Sequence, residues 1–222
     1  MIKYFFFIIK NMTKVLVFDV ETTGLPKKWK PSIDELDMWP FIVQISWIVY
    51  DTDATDLNTI KDYIIKLENN MEIPEESTKI HGITNEIMNE KGKKLFNILC
   101  KFYEDMEKCN VIVAHNLNFD KSMVQVESKR NSLNCEFNNN MEFCTMIYGN
   151  DICKLTRVSK YGKIVSKFPK LIELYKKLFN EVPNNLHNSL NDVLVCFRCY
   201  YKLRYNLDIL KEDDKFAGFE CF

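Results

Sequence analysis

The stretch "KVLVFDVETTG", residues 14–24, narrows the choice of fold more than any other part of this chain. Its continuous apolar run over 15–18 is the pattern of a central strand buried on both faces. Two carboxylates, Asp19 and Glu21, lie at its far end, and Gly24 closes it. A strand of that kind needs cover on each side of its sheet, so the rest of the chain must supply helices.

The remaining pattern supplies them. "FIVQISWIVYD", 41–51, is rich in branched and aromatic residues and reads as a second strand. "TIKDYIIKL", 59–67, reads as a third, although its periodicity leaves a helix open. After Pro74 come short helical pieces interrupted by Gly82 and Gly92, then an amphipathic helix with Leu95, Ile98, Leu99, Phe102 and Met106 on one face. A buried strand returns at 111–114, and "LNFDKSMVQVESKR" opens another helix with Asn118 as its expected cap. Helices are expected over 169–179 and 189–205, "PKKWKPSIDELDMWP" reads as an inserted surface loop, and "CEFNNNMEF" as a polar turn. The sum is an α/β chain, a mixed sheet with helices on its faces.

At 222 residues, 46% hydrophobic and 13% aromatic, the chain can build one sizeable core, and one domain is expected. The formal net charge of −1 gives no global basic field, so a nucleic-acid partner would have to be held by a local patch or by metal ions. The opening apolar run over 4–9 falls far short of the ~20 residues of a membrane helix. It also lacks a small-residue cleavage site, which makes it a poor signal peptide; Met12 offers an alternative start. The eight cysteines read as reduced. Cys196 and Cys199 lie at helical spacing with no further ligand pair, which favours core packing over zinc and an intracellular, reducing compartment.

The chemistry concentrates in acids. In an extended segment Asp19 and Glu21 point to the same side of the sheet, an arrangement that repulsion disfavours and a divalent cation with a taste for hard oxygen ligands reverses. A solvated turn is the plain alternative. Asp120 adds a third carboxylate just past a buried strand, where the helix dipole alone would also account for it. Asp192 supplies a fourth, early in the last long helix. Four acids from three distant segments suit a two-metal phosphoryl-transfer site, with cations roughly 3.5 to 4 Å apart. The attacking water's proton needs an acceptor, and histidine, which titrates near ~6.5 when unperturbed, is the natural one; His187 is the candidate. If all of "HNSLND" were helical, His187 and Asp192 would be roughly 140° apart, so His187 is expected to precede the regular helix.

"FDVETTG", "IHGIT", "AHNLNFD" and "HNSLND" resemble, in order, the motifs of the DEDDh branch of the DnaQ-like 3'→5' exonuclease superfamily. The resemblance implies a ribonuclease H-like fold with a mixed five-stranded sheet flanked by helices. It implies Asp19, Glu21, Asp120 and Asp192 as metal ligands and His187 as general base. The sister branch carries a tyrosine four residues before the last aspartate; that position is Asn188, which points to the histidine branch. The implied substrate contacts are Thr22, Thr23 and Gly24 beside the metals, His81 and Ile83 near the terminal sugar and base, and Asn116 and Phe119 at the strand-to-helix turn. His81 reads equally well as a satisfied core histidine, and Asn116 and Phe119 as braces. His115 reads as structural support.

The expectation is therefore an exonuclease domain over 13–206, with an extension at 1–12 and a C-terminal tail at 207–222. Its cofactor would be two Mg2+ ions, with Mn2+ as a substitute, and its partner the 3' end of DNA or RNA, with no membrane role. The competing expectation is a catalytically silent nucleic-acid-binding or interaction module on the same fold. The most basic stretch, "KLTRVSKYGKIVSKFPK" at 154–170, holds no acidic residue. It reads either as a surface that tracks a phosphate backbone or as a flexible solvated loop. The lysines around Trp29 carry a weaker version of the same suggestion.

Overall fold

The computed structural model describes residues 14–134, 136–137 and 140–222; the expected extension at 1–12 lies outside them. The first strand, β1 (Lys14–Thr22), is central in a five-stranded sheet of order β3-β2-β1-β4-β5. Its antiparallel neighbour is β2 (Ile42–Asp51), which pairs in turn with β3 (Asp56–Ile64). On the other side β4 (Val111–Ala114) runs parallel to β1, and β5 (Met141–Cys144) runs parallel to β4.

Side-chain alternation along β1 builds both cores. Leu16, Phe18 and Val20 pack toward α3 (Leu95–Met106) and α4 (Leu117–Arg130), where Phe18 meets Phe102 edge-on at 5.2 Å. Val15 and Val17 pack the opposite way, against α6 (Leu171–Phe179) and α7 (Ser189–Tyr205). The two helix layers explain why β1 carries no polar residue between Lys14 and Asp19. A smaller cluster of Val43, Leu67, Ile73, Ile83 and Met88 is built from β2, from the segments flanking α1 (Glu75–His81) and from α2 (Asn85–Lys91). Gly82 ends α1 with φ +75, a left-handed cap that favours glycine.

Several elements depart from the sequence expectations. The third strand is displaced toward β2 and ends at Ile64, because its pairing begins across the tight turn at Asp51↔Asp56. The amphipathic stretch ends there, and Leu67 packs in the small cluster instead. The stretch "CEFNNNMEF", expected as a polar turn, runs instead into the fifth strand: of that strand's four residues only Cys144 is buried, so neither alternation nor a long apolar run announces an edge strand. Helix α5 (Thr145–Cys153) follows at once. The basic stretch is no unstructured loop but a hairpin of β6 (Thr156–Val158) and β7 (Ile164–Ser166). Helix α4 is capped at Asn116, not Asn118: Asn116 holds φ +76, and its side chain makes no capping bond.

The segment at 31–40 is a surface excursion with a fixed path. The Arg130 guanidinium donates to the carbonyls of Leu36, Trp39 and Pro40 at 2.6, 2.8 and 2.7 Å, and to Glu127 at 2.8 Å. The C-terminal segment is likewise packed. It forms α8 (Ile209–Glu212) and a 3-10 turn (Asp214–Phe216), and Ile209, Phe216 and Cys221 are buried in the second core. Cys196 and Cys199 are buried there too, as core residues. The seven described cysteines are free thiols. Among the described residues no helix is long and apolar enough to cross a membrane.

Candidate active site

The site forms where β1 outruns its neighbour β4 while still paired with β2. The β1–β4 pairing ends at Val17↔Val113, and beyond it Asp19 and Glu21 project toward the α7 side, as their parity with Val15 and Val17 requires. Helix α7 is pinned against this strand end. The Ser189 hydroxyl donates to the Asp19 carbonyl at 2.7 Å, and the Ser189 N–H donates to the buried Gln44 side chain of β2 at 3.2 Å. Asn188 caps the helix, accepting from the N–H groups of Leu190 and Asn191. Asp192 is thereby delivered in the first turn, and carboxylate oxygens of Asp19, Glu21 and Asp192 come within 4.8 Å of one another.

Asp120 arrives from the opposite layer. It is buried on α4 and accepts the Val20 N–H at 3.3 Å, a donor on β1 past the end of the β1–β4 pairing. Its charge still acts on Asp19.

Electrostatics make the cluster costly as it stands. Burial, then the charges of Asp120, Asp192 and Glu21, hold the Asp19 carboxyl well above the ordinary carboxylate range, against the Ser189 hydrogen bond. Burial and then Asp192 push Glu21 up to about 7. Burial pushes Asp192 up to about 7, opposed by the His187 N–H. Asp120 is raised mainly by burial, despite the Val20 N–H. Among the described residues no lysine or arginine forms a salt bridge with any of the four. A crowded, half-buried set of hard oxygen donors without a basic partner fits divalent cations.

His187 stands apart in character. It precedes α7 with φ +67, its side chain is exposed, and its N–H reaches Asp192 Oδ1 at a long 3.4 Å. The approach to it is tied to the C-terminal segment: Asn184 N–H donates to the Cys221 carbonyl at 3.0 Å. The Asn191 side chain donates to the Asn185 carbonyl at 2.8 Å.

The expected substrate contacts divide. The Thr22 hydroxyl donates to the Gly24 carbonyl at 2.7 Å, and the Thr23 hydroxyl accepts the Phe41 N–H at 3.0 Å, so both fix the turn after Glu21. Gly24 has φ +143 and open space around it. His81 is buried, and its Nδ1 accepts the Ile83 N–H at 3.1 Å. Burial lowers its pKa, slightly opposed by the Thr22 backbone, which brings this histidine beside the same turn. Its Nε2 is buried without a well-formed hydrogen bond. The Ile83 side chain is committed to the small core cluster. Asn116 is exposed at the start of α4, and Phe119 is half-buried, 6.5 Å from the Trp39 ring. His115 bridges Thr145 Oγ1 at 2.9 Å and the Pro169 carbonyl at 3.1 Å, and burial lowers its pKa to about 4. Ser189 and Gln44, which lock α7 to the strand end, had no signal in the sequence; their role exists only through contacts 170 and 145 positions apart.

A mixed sheet in this strand order, with acids gathered at the end of its central strand, defines a ribonuclease H-like nuclease fold. The family model described as Exonuclease matches residues 16–200, and the chain belongs to that family. The DNA polymerase III subunit epsilon of Buchnera aphidicola (Acyrthosiphon pisum) is 24% identical over 205 residues, 92% of this chain and 78% of that protein. The DNA polymerase III PolC-type of Thermotoga petrophila is 31% identical over 121 residues, 54% of this chain and 8% of that one. Among solved structures, E. coli exonuclease I in complex with a dT13 oligonucleotide aligns with TM-score 0.63 at 15% identity, over 87% of this chain. The chain spans about 42% of that exonuclease I chain. The resemblance drawn from the four motifs holds, and the enzyme class is that of the DnaQ-like, metal-dependent 3'→5' exonucleases.

Proposed function

We propose that this chain removes nucleotides from the 3' end of single-stranded DNA, releasing nucleoside 5'-monophosphates, at a site holding two magnesium ions. The observation that carries this reading is the approach of Asp19, Glu21 and Asp192 within 4.8 Å, with carboxyls forced above their ordinary range. Asp19, Glu21, Asp120 and Asp192 would hold the ions, Asp120 from the far side of β1. Magnesium bound there would activate a water and offset charge on the leaving oxygen. His187, exposed at the helix entry, takes the proton from the attacking water, and the contact of its backbone N–H with Asp192 sets it beside the acids. The turn at Thr22, Thr23 and Gly24 leaves open space for the terminal nucleotide, with His81 behind it. DNA is favoured over RNA because the relatives named above are DNA polymerase III proteins and the aligned exonuclease I holds a dT13 oligonucleotide.

The test uses matched DNA and RNA single strands labelled at the 5' or the 3' end, with magnesium or with a chelator. A 3' label should leave at once as mononucleotide, and a 5' label should pass through a descending ladder. Both should stop in chelator. Internal cleavage at equal rates, or indifference to chelator, would overturn the reading, and equal trimming of RNA would overturn the choice of DNA.

A further inference from the structure

The β6–β7 hairpin is a surface the carboxylate chemistry does not use. Its turn at 159–162 closes through Gly162 N–H to the Ser159 carbonyl at 2.9 Å and Ser159 N–H to the Lys163 carbonyl at 2.8 Å, with Gly162 at φ +74. Such a ribbon is marginal by itself, so its exposed residues must serve something other than the core. The cross-strand partners Val158 and Ile164 are 69% and 76% exposed, and Tyr161 at the tip is 77% exposed. Lys160 lies 5.0 Å from the Tyr161 ring centroid, and Arg157 and Lys163 are exposed along the same ribbon. No acidic residue occurs anywhere in 154–170.

The root of this hairpin is fixed to the rim of the site. Lys167 N–H closes it onto the Leu155 carbonyl at 2.9 Å, and His115 holds the Pro169 carbonyl at 3.1 Å. His115 directly follows β4, and because β4 runs parallel to β1 it leaves the sheet at the same end as Asp19 and Glu21. The ribbon therefore springs from the end of the sheet at which the acids gather.

We propose that this hairpin is an arm that grips a single strand of nucleic acid upstream of its 3' end. The occupant has to be a polyanion, because the ribbon is cationic and free of acids. It also has to offer flat apolar faces, because Tyr161 and the Val158–Ile164 pair are presented to solvent. Single-stranded nucleic acid has both properties, with phosphates for Arg157, Lys160 and Lys163 and bases that stack on an aromatic ring. The direction of the strand rests on the exonuclease reading; the grip itself does not.

The test is fluorescence anisotropy with the full chain in chelator, on labelled oligothymidylates of about 20 and about 4 nucleotides, across a salt series. The triple variant Arg157→Gln, Lys160→Gln, Lys163→Gln should bind the long strand about 10-fold or more weakly, with the salt slope reduced by about 2. It should leave the short strand unaffected. Tyr161→Ala should weaken the long strand about 5-fold or more. All four residues are exposed, so thermal melts of the variants should match wild type. Unchanged affinity and slope on the long strand would overturn the arm. So would a wild-type dimer in size-exclusion chromatography that these variants dissolve, since the ribbon would then be a self-interface. Weakened binding by the variants in a wild type that never trims 3' ends would support the arm while removing the exonuclease reading.

Discussion

The carboxylate cluster and the His187 approach sit side by side and are built in opposite ways. The acids stand on a doubly buried strand and two helices, and Ser189, Gln44 and the Val20 N–H fix them from both layers of the fold. His187 stands on an exposed turn with positive φ, tethered by one long hydrogen bond and by a C-terminal segment that ends near Cys221. The difference fits the two duties proposed for them. Ligands for cations must be held against mutual repulsion, which takes a stiff scaffold, whereas a proton acceptor has to reach a water and then give the proton up to solvent.

The contrast is tested most severely by Asp19→Asn. It should lower kcat by about 10^3-fold or more, several kcal/mol of lost transition-state stabilisation. In chelator above neutral pH the same variant should melt higher than wild type, because it removes one member of a crowded acidic set. A lower melting temperature in chelator would mean that repulsion is not the main cost at this site.

His187→Ala should break the other half. A fall in kcat of about 10^2 to 10^4-fold is expected, with KM nearly unchanged. The melting temperature should stay within about 1 °C of wild type, since the side chain is exposed and supports no core. A matching loss of stability would place His187 in the scaffold and dissolve the comparison.

The smallest effect is a pH dependence of the metal-free protein. Glu21 and Asp192 are raised in the folded state to about 7, above their ordinary values of 4.5 and 3.8. Between those limits the folded state holds more protons than the unfolded one, so stability falls as pH rises. The stabilisation is complete below about pH 4 and is lost as pH climbs through about 7. Denaturant melts in chelator should show that decline, and saturating magnesium should flatten it. A stability that rises over the same interval would contradict the crowding of the acids.

Much of this architecture was legible locally. The buried run of β1, the four-residue β4 and the long helix α7 follow from apolar pattern and flanking polar residues, which are properties of neighbours in sequence. His187 preceding the helix followed from its spacing to Asp192, given that both serve one site, and from the polar residues between them. The edge strand β5, the β6–β7 hairpin and the packing of 207–222 were not legible. Short exposed strands and a C-terminal segment of mixed character acquire structure from partners elsewhere in the fold, Val113, Leu155 and the second core among them.

By itself the sequence determined which side chains exist to do chemistry and which strand or helix carries each. Asp19 and Glu21 had to share a side of a strand, and Asp192 had to begin a helix, because backbone periodicity fixes those relations. Only the tertiary structure decided that the three meet within 4.8 Å, while Asp120 reaches across the strand to the Val20 N–H from the other layer. Convergence of this kind depends on where β1–β4 pairing stops and on what Ser189 grips. Both are long-range contacts, and no local pattern encodes a partner 170 residues away.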